Sequence, residues 1–182
     1  MNSTSPESNA SPSPSTSIDL ATASASDIID ILVNDNHASL RCQLDSLQDQ
    51  VAAAATDTAR PSYDINRIAE IVTTFRDLLF DHIDREEQIV FPLIRILELR
   101  GALPLYSRPS VDSPVASLET DHDQTDEVFS SLRELTNGYS RIGDSQSPYN
   151  TLVDSLSQFE GSMQKHMDIE RTYLFARICS PL

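Results

Sequence analysis

The sequence predicts an all-α protein, an antiparallel up-and-down four-helix bundle that follows a disordered N-terminal tail. Three observations support this prediction. Four segments repeat apolar residues with helical spacing, glycine is scarce at 4 of 182 residues, and the stretches between the segments are rich in Pro, Gly, Ser and Asp. A chain of this length suits one domain plus a tail. An extended helical hairpin, or a dimer of hairpins, is the alternative architecture.

The first part of the chain, residues 1–24, has the composition of a disordered tail. It consists mainly of Ser, Thr, Pro, Ala and Asn and has few large apolar side chains. Such a segment buries too little surface to offset the entropy lost on ordering. We therefore predict that residues 25–182 form the bundle.

Each predicted helix has a stripe of apolar residues interrupted by a histidine. The first stripe contains Val33, His37, Leu40, Leu44, Leu47 and Val51. The second contains Ile68, Ile71, Phe75, Leu78, His82, Glu86, Ile89 and Leu93. The third contains Val115, Leu118, His122, Phe129 and Leu132. The fourth contains Tyr149, Leu152, Leu156, Phe159, Met163, His166, Glu170 and Tyr173.

Proline and glycine predict where these helices begin, bend and end. Pro92 lies inside the second stripe, where it should kink the helix or end its regular part. Pro114 suits the first turn of the third helix, and Gly138 its end.

Composition excludes several functional classes. The net charge of -15 disfavours binding to nucleic acid or to an anionic membrane, because both need clustered basic residues. The two cysteines form no CxxC motif, and no apolar run has the length of a membrane span. The N-terminal residues resemble neither a signal peptide nor a transit peptide, so we expect a cytoplasmic protein.

The four histidines of the chain are distributed one to each predicted helix. They are separated by about 40 to 45 residues, roughly a helix and its return loop. A single histidine on an apolar face is usually a core residue with one hydrogen bond. An up-and-down bundle would, however, bring all four rings to a similar height.

Acidic residues accompany three of these histidines at the fourth position along the helix. The pairs are His82–Glu86, His122–Asp126 and His166–Glu170. Residues four apart share a helix face, so each pair should point into the core together. Burying carboxylates without partners costs several kcal/mol each, on the order of the ionic desolvation penalty, and a bound cation removes that cost.

The ligand types restrict the metal. Imidazole and carboxylate without sulfur suit iron, zinc or manganese. Six ligands from four helices exceed the needs of one tetrahedral zinc ion, so two ions bridged by two glutamates fit better. The ligand types alone do not distinguish iron, zinc and manganese.

The stretches "NHASLRCQL", "HIDREEQIVFPLI", "LETDHDQTDEVFSSLREL" and "HMDIERTYLFARI" resemble the hemerythrin-like cation-binding (HHE) domain, and within it the iron–sulfur cluster repair di-iron proteins. The resemblance spans about residues 27 to 180. It implies two iron ions held by His37, His82, His122 and His166, with Glu86 and Glu170 as bridges. Repair proteins usually begin with a small Cys-containing domain, whereas this chain begins with the predicted tail.

Two aspartates near the third histidine stand at positions where the family commonly has other residues. Asp126 stands where a small residue is common, and we expect it to contact a ligand, to serve as an extra ligand itself, or to narrow the open site. Asp121 stands where the family often has Glu. It could relay protons to the centre or be a solvated helix residue.

The resemblance implies a non-haem di-iron protein that reacts with nitric oxide or dioxygen and protects or repairs iron–sulfur clusters under nitrosative or oxidative stress. From this resemblance we expect an activity like that of a nitric oxide reductase, with iron–sulfur proteins as partners. The alternatives are reversible oxygen binding, oxygen or iron sensing, and a scaffold without chemistry.

Overall fold

The computed structural model describes residues 18–56, 65–101, 108–143 and 146–178, with the side chains of 108–112 left out. All regular elements in these ranges are helical, as predicted, and they form four long helices that we name A to D. Helix A comprises α1 (Ala25–Ile31), π1 (Leu32–His37) and α2 (Ala38–Ala55). Helix B comprises α3 (Ile65–Arg85), π2 (Glu86–Val90) and α4 (Phe91–Leu99). Helix C is α5 (Arg108–Leu135), and helix D comprises α6 (Pro148–Ile169), π3 (Glu170–Phe175) and α7 (Ala176–Ile178).

The four helices pack as a closed antiparallel bundle. Helix A contacts B and D, and helix B contacts C. Helices C and D meet through the rings of Phe129 and Phe159, whose centroids are 5.9 Å apart, and through the ion pair of Arg133 with Glu160. The prediction of a four-helix bundle is therefore confirmed.

Local signals explain the starts of helices A and D and the end of helix C. Ser24 and Asp27 form a reciprocal capping box at the start of helix A, and Ser147 accepts a hydrogen bond from the Asn150 amide at the start of helix D. Helix C ends at Leu135, and Gly138 follows it with a φ of 69°. Its amide donates to the carbonyl of Arg133, so the predicted stop near Gly138 is confirmed.

The two prolines behave differently. Pro92 lies in the first turn of α4, directly after the π-helical turn, so regular α-helix does stop before it. Pro114 lies inside α5 rather than in its first turn, because the helix already begins at Arg108. The predicted start of the third helix was therefore wrong.

In the described ranges, three π-helical segments interrupt the α-helices, one each in A, B and D. Each turn of a π-helix takes an extra residue, so the buried face shifts beyond the segment. The sequence predicted buried Ile89 and Tyr173, but Ile89 is exposed and Tyr173 half-buried. The structure instead buries the residues that follow, which are Val90, Phe91, Ile94, Leu174, Phe175 and Ile178.

The N-terminal segment before helix A is partly described. Residues 1–17 of the predicted tail lie outside the described residues, whereas residues 20–23 form a turn. Arg177 of helix D donates hydrogen bonds to the carbonyls of Leu20 and Ala23, and so attaches this turn to the bundle.

The apolar interior consists of two clusters. One is centred on the edge-to-face rings of Phe75, Phe129 and Phe159, and the other contains Phe91 and Phe175. Buried polar residues lie between the clusters, at the level of the three π-helical segments. In the described ranges, no helix is both long and apolar enough to cross a membrane.

Candidate metal centre

The structure brings the six predicted ligands together in one buried polar layer. Helix A contributes His37, the last residue of π1, and helix C contributes His122. Helices B and D each contribute a histidine at the end of an α-helix and the glutamate that begins the next π-segment. All six residues are buried, and the most exposed of them, His82, is 3% exposed.

The π-helical turns coincide with the ligands, which gives them a structural role. Such turns are rare and are frequently found at functional sites, where the extra residue redirects side chains. Here Glu86 and Glu170 open their segments, so each remains on the inner face below its histidine while the following residues shift. Helix C supplies its one ligand without a π-segment, whereas helix A supplies His37 from the last position of π1.

The ligand atoms form two groups that share both glutamates. One group consists of His37, His166, Glu86 and Glu170, and the other replaces the two histidines with His82 and His122. Within each group, the potential ligand atoms lie within 4.8 Å of one another. Each glutamate therefore faces both pairs of histidines, as a bridging carboxylate must.

Short contacts connect every histidine to a glutamate. The Nε2 atom of His37 lies 3.2 Å from Glu86, and that of His122 lies 3.0 Å from Glu170. The Nε2 atoms of His82 and His166 each lie 3.3 Å from the glutamate four residues later in their own helix.

None of these contacts gives the ligand atoms a hydrogen-bond partner. The Nε2 atoms of all four histidines and all four carboxylate oxygens of Glu86 and Glu170 are buried without one among the described residues. Unsatisfied buried polar atoms are rare in proteins, and each costs about 1 to 3 kcal/mol. Eight such atoms converging on one place fit coordination of cations, which would satisfy them together.

Carboxylates outside this layer hold the rings of two histidines. The Nδ1 atom of His37 lies 2.8 Å from Glu87, which also accepts a hydrogen bond from Arg41. The Nδ1 atom of His82 lies 3.1 Å from Asp121, which also accepts one from Arg85. Such partners fix the tautomer and leave Nε2 free to bind a metal.

At His122 a carboxylate lies near Nδ1 without forming a hydrogen bond to it, and at His166 no such carboxylate is seen among the described residues. The Nδ1 atom of His122 lies 3.8 Å from Glu119, too far for a hydrogen bond, and Glu119 pairs with Arg171. The Nδ1 atom of His166 is buried without a hydrogen-bond partner among the described residues.

The two aspartates near His122 differ in location. Asp126 is exposed, so the expectation that it contacts a ligand or serves as one was wrong. In helix C the buried residue below His122 is Thr125, at the third position instead of the fourth. Asp121 is buried and contacts His82, so it is no solvated helix residue.

Sequence reasoning missed the role of Glu87, Glu119 and the three arginines. Their signal was weak, because the pairs join different helices and have no fixed spacing along the chain. The adjacent acids of "REEQ" were the best indication that Glu87 also faces the site.

The neighbouring protein groups shift the pKa values of the site. Burial alone lowers the pKa of His82, but the charge of Glu86 and the hydrogen bond to Asp121 raise it to about 9. Burial lowers the pKa of both His122 and His166 to about 3. These two imidazoles are therefore neutral at pH 7, as metal binding requires.

The two glutamates shift in opposite directions. Burial tends to raise the pKa of Glu86, but the charge of His82 and the proximity of His37 lower it well below the usual value. Burial and the charge of Glu86 raise the pKa of Glu170 well above its usual value. Two carboxylates this close do not both ionise without a cation between them.

A buried layer of imidazoles and shared carboxylates inside a helical bundle defines a candidate two-metal centre of the carboxylate-bridged class. The sequence matches the hemerythrin HHE cation-binding domain over residues 27–178. The chain belongs to this family.

Curated relatives of this chain include iron–sulfur cluster repair proteins. The iron–sulfur cluster repair protein YtfE of Enterobacter sp. (strain 638) is 23% identical over 159 residues, which cover 87% of this chain and 68% of the relative. YtfE of Escherichia coli O157:H7 gives the same identity and coverage. A probable iron–sulfur cluster repair protein of Haemophilus influenzae is 25% identical over 163 residues, which cover 88% of this chain and 68% of the relative.

Proposed function

We propose that this chain is a non-haem di-iron protein that reacts with nitric oxide or dioxygen and so protects or repairs iron–sulfur clusters. The observation that carries the proposal is the set of eight buried candidate ligand atoms that have no hydrogen-bond partner within the described part of the chain. The names of the curated relatives support iron–sulfur cluster repair as the process.

The residues that would hold two ions are the six of the buried layer. His37 and His166 would bind one ion and His82 and His122 the other, with Glu86 and Glu170 shared. Imidazole and carboxylate are ligands that iron accepts, and six protein ligands for two ions leave coordination positions for a small molecule. When bound, two ferrous ions would supply two electrons to a small diatomic substrate.

The reaction with nitric oxide balances with those two electrons. Two molecules of nitric oxide, two electrons and two protons give one molecule of nitrous oxide and one of water. Buried carboxylates close to the ligands are suited to holding the protons, and the raised pKa of Glu170 favours a proton on that carboxyl until a cation displaces it.

Aromatic side chains shield the centre on one side. The ring of Phe91 stacks on His37 with a centroid distance of 5.8 Å, and the ring of Phe175 lies 6.4 Å from His122. Both belong to the apolar cluster next to the buried layer. This apolar wall excludes water, and it admits nitric oxide and dioxygen, which are themselves apolar.

Several features of the proposal extend beyond the site. Iron–sulfur proteins would be the partners, and the cytoplasm would be the compartment, because thiols such as the exposed Cys42 stay reduced there. An acidic chain with net charge -15 would not compete for nucleic acid.

The direct test is anaerobic reconstitution with ferrous ion, followed by metal analysis and addition of nitric oxide. We expect two iron ions per chain and production of nitrous oxide. The exposed Asp126 offers a matched control, because Asp126→Ala removes a carboxylate at the same spacing from a histidine without touching the buried layer. Its iron content should equal that of the unaltered protein, whereas Glu170→Ala should lose iron.

Two results would contradict the proposal. A stable, reversible oxygen adduct without turnover would favour a carrier or sensor. A protein that holds no metal after reconstitution would favour a scaffold.

A further inference from the structure

The two halves of the bundle repeat one arrangement around the centre. The motif H-x3-E-x4-F occurs as His82–Glu86–Phe91 in helix B and again from His166 to Phe175 in helix D. In both helices the glutamate opens a π-segment, and the phenylalanine stacks near the histidine of the preceding helix. The two candidate subsites therefore occupy opposite seams of the bundle, with one between helices B and C and the other between A and D.

The B–C seam is closed beside its histidines. Arg85 of helix B donates hydrogen bonds to Asp121 and Ser117 of helix C, and Asp121 in turn contacts His82. This pair links the two helices at the level of the ligands. A groove of about 260 Å³ lies along the same seam, but Arg85 lines it and is held by these bonds.

The A–B and C–D seams have comparable links. Arg41 of helix A reaches Glu87 of helix B, with a distance of 3.1 Å. Arg171 of helix D reaches Glu119 of helix C, with a distance of 2.9 Å. Each of these three seams is thus joined by an arginine and a carboxylate next to a ligand histidine.

The A–D seam differs at the corresponding positions. The counterpart of Asp121, immediately before the first histidine of its half, is Asn36, whose amide donates to the carbonyl of Ile31. The counterpart of Arg85, three residues after the second histidine, is Ile169. Between the described parts of helices A and D, no ion pair is found at this level.

A cavity occupies this seam instead. Its volume is about 400 Å³, larger than the groove between B and C. Its walls come from polar residues near His37 and His166, which are Asp35, Asn36, Ser39, Ser162 and Lys165, and from five apolar residues of the N-terminal segment and of helices A and D. Four of the ten lining residues, Asp35, Asn36, Ser39 and Ser162, offer side-chain oxygen atoms. Such atoms are ligands that a hydrated ferrous ion accepts.

The unsatisfied nitrogen of His166 lies at the same seam. Its Nδ1 atom is fully buried and lacks a hydrogen-bond partner in the described part of the chain. Loss of such a partner weakens metal binding by about 10- to 100-fold in characterised sites. Each subsite holds one ring through Nδ1, at His37 and at His82, because the Nδ1 atom of His122 also lacks a partner among the described residues. The two subsites therefore differ in the seam beside them and not in the number of held rings.

We propose that the A–D cavity is the route by which one metal ion enters and leaves the centre, so that the His37–His166 ion exchanges and the His82–His122 ion stays. This inference rests on the proposed di-iron function, and it adds which of the two ions exchanges and by which route. An exchangeable ion next to a retained one would let the protein deliver iron without dismantling its centre.

The test measures the release of ferrous ion from protein loaded with two ions per chain, after anaerobic addition of a chromogenic ferrous chelator. We expect two phases of equal amplitude, one fast and one slow. In Ser39→Trp, an indole at the exposed cavity wall should slow the fast phase several-fold and leave the slow phase unchanged.

The chain offers a matched control for that variant. Ser46 lies on the same exposed face of α2 and, like Ser39, accepts a hydrogen bond from the glutamine four residues later. Ser46→Trp introduces the same ring away from the cavity, so its release should match that of the unaltered protein. Circular dichroism checks that both variants keep their helical content.

A second variant tests the closed seam. Arg85→Ala removes the link between B and C without changing a ligand, and it should accelerate the slow phase by about 10-fold or more. Arg85→Lys, which keeps the charge, should restore part of the slow rate.

The outcomes separate the two proposals. A single phase for both ions, or a fast phase unaffected by Ser39→Trp, would overturn the exchange route and leave the di-iron centre standing. Protein that takes up no iron would overturn the proposed function, and the exchange route with it.

Discussion

Replacing Glu170 with methionine should change the stability of the protein in opposite directions with and without metal. Glu170 is fully buried, and both its carboxylate oxygens lack hydrogen-bond partners in the described residues. Removing such a group relieves a cost of about 1 to 3 kcal/mol, and methionine fills a similar volume. For a domain of this size, that gain corresponds to a rise of about 2 to 12 °C in the Tm of chelator-treated protein.

With ferrous ion bound, Glu170→Met should be less stable than the unaltered protein. A ligand at 100 times its Kd stabilises a folded protein by about 2.7 kcal/mol. Glu170 belongs to both ligand groups, so Glu170→Met should lose most of this stabilisation. Thermal denaturation with chelator and with excess ferrous ion, both under anaerobic conditions, measures the two differences.

Glu160 is a suitable control on the same helix. Its carboxylate is also buried, but it pairs with Arg133 and accepts a hydrogen bond from Gln164. Glu160→Met should therefore destabilise the protein under both conditions and leave the response to ferrous ion intact. A Glu170→Met variant that is less stable than the unaltered protein in chelator, or that keeps the full response to metal, would refute the reasoning.

Three further changes should give measurable effects. Glu86→Ala should abolish iron binding while helicity stays unchanged, as metal analysis and circular dichroism would show; normal iron content would remove Glu86 from the ligand set. Glu87→Gln should weaken metal affinity by about 10-fold, because the His37 ring loses a charged acceptor, and an unchanged titration midpoint would contradict this role. The free energy of unfolding of chelator-treated protein should fall by up to about 3 kcal/mol between pH 6.5 and pH 9. Protonated His82 stabilises the folded state, because the pKa of His82 is about 9 there and about 6.5 in the unfolded chain, and this contribution disappears as the pH rises through about 9. His82→Gln should flatten this slope in urea denaturation, and an unchanged slope would refute the assignment.

The convergence of the six candidate ligands could be predicted from the sequence because each of them is marked by local spacing. One histidine per apolar stripe, and a glutamate four residues after two of them, required only the periodicity of an α-helix. Loop length then brought the four stripes to the same height. The structure gathers the six residues in one buried layer for these reasons.

The same spacing rule gave wrong predictions at positions where packing decides which side of the helix is buried. Asp126 follows His122 at the spacing of the two glutamates, yet it is exposed, because the buried face of helix C continues through Thr125. Positions three and four residues along lie on nearly the same side of a helix, and tertiary packing selects between them. The π-helical turns likewise exposed Ile89, since their extra residue cannot be inferred from a regular period.

Contacts between helices were beyond local reasoning. The bonds from Glu87 to His37 and from Asp121 to His82 cross seams between segments about 40 to 50 residues apart. No spacing rule connects such residues, so only the packed bundle reveals which carboxylates hold the histidine rings.

Anomalous X-ray diffraction at the iron edge, from crystals loaded anaerobically with ferrous ion, tests the candidate centre most directly. The arrangement of ligand atoms predicts two peaks within the buried layer, one between His37 and His166 and one between His82 and His122, with Glu86 touching both. A single peak, or iron bound only to surface carboxylates, would contradict a carboxylate-bridged pair of ions.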